Sequence, residues 1–155
     1  MPQRILVVED DAPFCRLTCE ALQRRAEFEI CEPADGFEAL QKADELQPDW
    51  FLLDIDVPDR HCFEVAARIG SRAPHARLLL MGQPSSSDIV RHGLSLGGHG
   101  YMHMQHVGTD LLRAFDVVLD GQRFVSSSVA FLISSPIPTQ PPVVLPVSRW
   151  NMRCV

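Results

Sequence analysis

Apolar and polar positions along the chain follow two alternating periods. Arg4 to Val8 is an unbroken apolar run with β-branched residues, which predicts a strand buried on both faces. Asp11-Ala12-Pro13 then reads as a helix start, with Asp at the N-cap and Pro in the first turn. Phe14, Leu17, Ala21 and Leu22 follow at helical spacing to about Arg25. The same pair of patterns recurs. Phe28 to Cys31 predicts a second strand, and Asp35-Gly36 opens a helix carrying Phe37, Leu40 and Leu46. Pro48 ends it, and Trp50 to Leu53 is a third strand terminating in Asp54. Phe63, Val65, Ala66 and Ile69 mark a third helix, broken by Pro74. Arg77 to Met81 is a fourth strand, and Pro84-Ser85-Ser86-Ser87 caps a helix through Leu96. A glycine-rich turn at 97–100 leads into a fifth strand, Tyr101 to Met104, and a helix from about Val107 to Leu119. Five strands alternating with five helices predict a doubly wound α/β fold with a parallel sheet and helices on both faces.

The pattern decays after Asp120. Residues 136 to 146 hold five of the 12 prolines, which predicts extended chain. The expected organisation is therefore a domain over 1–123 and a flexible proline-rich tail over 124–155, with a short helix near 128–134. All 20 acidic residues lie at or before Asp120, and with 12 basic residues up to Arg123 the folded part carries -8 of a whole-chain charge of -6, which gives no footing for nucleic acid. Neither a membrane-spanning run nor a signal peptide is visible, and five cysteines without framework spacing read as reduced thiols, so a cytoplasmic location is expected. Cys15 and Cys19, one helical turn apart, read as packing. His99, His103 and His106 show no zinc-ligand spacing.

Sites in doubly wound sheets lie at the carboxyl ends of the strands. Glu9 and Asp10 follow the first strand there and Asp54 ends the third, whereas Asp11 reads as a helix cap. Carboxylates so close repel unless a cation sits among them, and an all-oxygen donor set favours Mg2+. A carboxylate beside that ion is a nucleophile toward phosphoryl groups.

The runs Ile5-Leu6-Val7-Val8-Glu9-Asp10-Asp11 and Pro48-Asp49-Trp50-Phe51-Leu52-Leu53-Asp54-Ile55-Asp56-Val57-Pro58 resemble the two acidic motifs of response-regulator receiver domains. The resemblance covers residues 4 to 123 and implies the flavodoxin-like receiver fold, five parallel strands in the order 2-1-3-4-5 with five helices. It implies a response regulator of a two-component phosphorelay, a phosphoprotein in which Asp54 accepts a phosphoryl group from a histidine kinase or phosphotransfer protein. Glu9, Asp10, Asp54 and the backbone carbonyl of Asp56 would hold Mg2+. Gly97 to Tyr101 and Arg113 to Ser126 resemble receivers attached to a helix-turn-helix effector, and Tyr101 falls on the family's switch aromatic, with a plain surface aromatic as the even alternative. The tail has neither the length nor the two periodic helices of that effector. Output is expected by protein contact, and a homodimer is allowed, through the fourth helix, fifth strand and fifth helix.

Three positions depart from the family pattern. Gly82 stands where a Ser or Thr hydroxyl usually contacts the phosphoryl group, Met104 where a Lys does, and Cys62 where a Gly is usual. Lys42, the single lysine, belongs to the second helix and supplies no substitute. These departures open a second reading, a pseudo-receiver that binds partners independently of phosphorylation. An enzyme is not expected: a haloacid-dehalogenase type of phosphatase would use Asp54 and Asp56 but also a lysine.

Overall fold

The computed structural model describes residues 2–9, 12–25, 27–34, 36–55, 61–84 and 86–133. Strands β1 (Gln3–Val8), β2 (Phe28–Ala34), β3 (Trp50–Asp54), β4 (Arg77–Gly82) and β5 (Gly100–His103) alternate with helices α1 (Ala12–Leu22), α2 (Gly36–Leu46), α3 (His61–Arg72), α4 (Ser87–Ser95) and α5 (Val107–Leu119). Two further elements follow, β6 (Phe124–Val125) and α6 (Ser127–Ala130). The sheet order is β2-β1-β3-β4-β5-β6 and every pair is parallel.

Strand alternation divides the core into two layers. Leu6, Phe51, Leu53, Leu78, Leu80 and Tyr101 face α2, α3 and α4. Ile5, Trp50, Leu52, Leu79, Met81 and Met102 face α1 and α5. β1, β3 and β4 are buried on both faces, which is why their sequences read as unbroken apolar runs. The Trp50 and Phe115 rings meet edge-on at 4.5 Å, joining β3 to α5.

Several boundaries differ from the pattern reading: β2 continues to Ala34 rather than ending at Cys31, and α1 ends at Leu22 rather than near Arg25. β5 stops at His103, one residue earlier than expected, because the His103 side chain accepts the Gln105 N–H at 3.2 Å and caps a 3-10 turn over Met104–His106. The five-stranded sheet gains β6 from residues assigned to the tail. The Phe124 N–H donates to the His99 carbonyl at 3.2 Å and the Ser126 N–H to the Tyr101 carbonyl at 3.0 Å. Gly100 permits this approach: a Cβ there would lie 2.8 Å from Leu79 Cδ2 and 3.1 Å from the Phe124 carbonyl oxygen. The short helix expected near 128–134 is α6, which begins at Ser127.

Candidate functional site

Glu9 and Asp54 lie at the carboxyl edge of two neighbouring strands. Val8 pairs with Leu53, so the residues that follow each of them, Glu9 and Asp54, stand side by side. Both side chains are nearly buried, at 8% and 5% exposure, which is rare for carboxylates. Burial disfavours the charged form, and a cation offsets that cost. Oxygen donors of this kind suit a hard divalent ion. Asp10 and Asp56, the other expected contributors, lie outside the described residues. Among the described residues no group of three or more His, Cys, Asp and Glu side chains is placed to hold a metal.

The rim around this pair is built from β4 and β5. Gly82 ends β4, is buried, and pairs with His103. Met104, half-buried, stands beyond the end of β5 in the 3-10 turn. Neither offers a charged or hydroxyl contact at this edge. Cys62, the third departure, is buried in α3, and its Sγ–H donates to the Ile55 carbonyl at 3.1 Å. The thiol thus fastens the start of α3 to the residue after Asp54.

Tyr101 is fully buried, so the surface alternative does not hold. It packs in the layer with Leu80, Val90, Leu94 and Val129. Gly93 leaves room for Leu80 in this layer: a Cβ at Gly93 would meet Leu80 Cδ1 at 2.8 Å, while Tyr101 Cε2 at 3.7 Å would be in ordinary contact. The three histidines do not converge. His99 lies before β5, its Nδ1 accepting the Leu78 N–H at 3.1 Å, whereas His103 and His106 lie at the other end with ring centroids 5.2 Å apart. Burial, and then the charges of Arg77 and Arg123, push the pKa of His99 down to about 4.

Sequence reasoning missed Ser126. Its Oγ accepts the His103 N–H at 3.0 Å and donates to Asp110 Oδ2 at 2.7 Å, joining β5, α5 and the start of α6. Ser128 Oγ lies 3.2 Å from His106 Nδ1 and Val129 is fully buried beside Tyr101. β5 is therefore an inner strand, so a protein contact or homodimer on that side meets β6 and α6 rather than an open strand edge. A serine run before a proline-rich stretch carries no period that would reveal this.

A doubly wound parallel sheet with buried acids at the carboxyl ends of its first and third strands defines the class. The family model described as the response regulator receiver domain matches residues 5–115, and the chain belongs to that family. It is 34% identical over 119 residues to a putative transcriptional regulator of Pseudomonas aeruginosa, covering 76% of this chain and 57% of that protein. It is 29% identical over 98 residues to the chemotaxis protein CheY of Listeria monocytogenes, covering 63% of this chain and 82% of CheY. It is similar in structure to a LuxR-family two-component response regulator from Aurantimonas, with a TM-score of 0.78 at 24% identity over 86% of this chain and 96% of that one. No helix among the described residues is long and apolar enough to cross a membrane.

Proposed function

We propose that this chain is the phosphoryl-accepting receiver of a two-component phosphorelay, with Asp54 as acceptor. The reading rests on the burial of Asp54 at the carboxyl end of β3 beside Glu9. A carboxylate oxygen of Asp54 attacks the phosphorus of a phosphohistidine on a kinase or phosphotransfer protein. The P–N bond breaks, the imidazole leaves with a proton from solvent, and an acyl phosphate remains on Asp54. Glu9, Asp10, the Asp54 carboxylate and the Asp56 backbone carbonyl would hold Mg2+. The ion, when bound, neutralises charge on the transferring phosphoryl oxygens. The chain is not an enzyme beyond its own phosphorylation and dephosphorylation, acts in the cytoplasm, and signals by protein contact without binding nucleic acid.

Gly82 and Met104 set the strength of the response. A hydroxyl and an ammonium at these places would each make a charge-assisted contact of about 1.5–3 kcal/mol. Without them, phosphorylation does little to bias one conformation over another. Acetyl phosphate and Mg2+ followed by intact mass measurement test the acceptor directly. Wild type should gain one phosphoryl group and Asp54→Asn none. Equal gain in both would remove Asp54 as acceptor, and no gain in wild type that still binds Mg2+ would turn the proposal toward a phosphorylation-independent interaction module.

A further inference from the structure

Cys15 and Cys19 face the same side of α1, and their sulfurs lie 4.0 Å apart. Cys15 is buried against the α1–α5 layer, while Cys19 is half-buried, so the pair is reached from the Cys19 end. A direct disulfide does not suit the helix. Cβ atoms at this spacing are about 5–6 Å apart, against about 3.5–4.5 Å in a disulfide. A bridge through a third atom does suit it. With metal–sulfur bonds of about 2.3 Å, sulfurs 4.0 Å apart subtend an angle of roughly 120° at the ion, that of a trigonal centre whose third position an exogenous ligand fills.

We propose that Cys15 and Cys19 form a two-thiolate clip for a low-coordinate thiophilic metal ion, with copper(I) the best fit by softness and ligand number. Thiolates select soft ions. Among the described residues no third His, Cys, Asp or Glu completes a set with them, which disfavours an ion that demands four protein ligands. Binding replaces two S–H bonds by two Cu–S bonds, releases two protons, and leaves copper in the +1 state. The bridged pair then carries one net negative charge rather than the two of bare thiolates. Burial and mutual proximity hold the Cys15 thiol up to about 11, so the free pair is a poor nucleophile at neutral pH. Binding must displace both protons, so retention should weaken as pH falls.

The test is anaerobic titration of the reduced full-length protein with copper(I) in competition with a chromogenic copper(I) chelator. Wild type should retain one equivalent, as should Cys154→Ser. Cys19→Ser, which alters the half-buried member and is checked for fold by circular dichroism, should weaken retention by about tenfold or more, a factor corresponding to about 1.4 kcal/mol. X-ray absorption on the loaded wild type should show two sulfur neighbours. Retention unchanged in folded Cys19→Ser, or no retention by reduced wild type, would overturn the clip.

Discussion

Replacing Ser126 by Ala should destabilise the protein by about 1–3 kcal/mol, because the His103 N–H and the Asp110 carboxylate lose a common partner in a buried place. Urea midpoints for wild type and Ser126→Ala check this, and a change within experimental scatter would show that the bridge carries no stability. His99 makes a second residue-scale case. Its folded pKa, about 4, lies below the ordinary 6.5, so the unfolded chain takes up a proton that the fold refuses. The associated stability is complete above about 6.5 and is lost as pH falls toward 4, amounting to about 3 kcal/mol at most. His99→Asn, which keeps an acceptor for the Leu78 N–H without titrating, should lose less stability than wild type between pH 7 and pH 4.5. Parallel losses in the two proteins would exclude His99 as the source. At this scale the sequence displays residues whose chemistry is uncommon at a strand end, such as Glu9 and Asp54. It conceals a residue like Ser126, whose partners come from β5 and α5 and depend on the closed fold.

Elements are legible in proportion to their length. The apolar runs of β1, β3 and β4 and the stripes of α3 and α5 span enough residues to show a period. β6 has two residues and α6 four, and neither completes one. Their existence follows from what they rest on: the β5 backbone, the gap left by Gly100, and the apolar layer that takes Val129. The early end of β5 has a similar origin, since a histidine that caps its own following turn leaves no mark on hydrophobic periodicity. Val129→Ala should cost about 1–3 kcal/mol by opening a cavity beside Tyr101. It should also speed amide hydrogen exchange at His103, whose N–H bonds Ser126. Unchanged exchange at His103 together with lowered stability would show that α6 and the β5 bond open independently.

For the whole molecule, the alternation of strand and helix was enough to place a doubly wound parallel sheet and its acidic edge, whereas the order of the first five strands came from the resemblance of the two acidic motifs. What it could not display is how tightly the acidic edge is linked to the β5–α6 side, which depends on residues that are absent from the rim as much as on those present. Gly82→Ser combined with Met104→Lys should restore that link. Nuclear magnetic resonance of Tyr101 and its neighbours, with and without beryllofluoride and Mg2+, should show larger shifts in the double variant than in wild type. Equal shifts would mean that the two departures do not limit the response.

The ladder between β5 and β6 has a mechanical meaning. A strand continued edge to edge by the chain's own later residues does not end in a slack tether. Tension applied beyond residue 133 passes through α6 to Ser126 and loads the bonds to Tyr101 and His103 together, in shear along the sheet. Whatever follows residue 133 in the chain is thus in series with the strand nearest the rim.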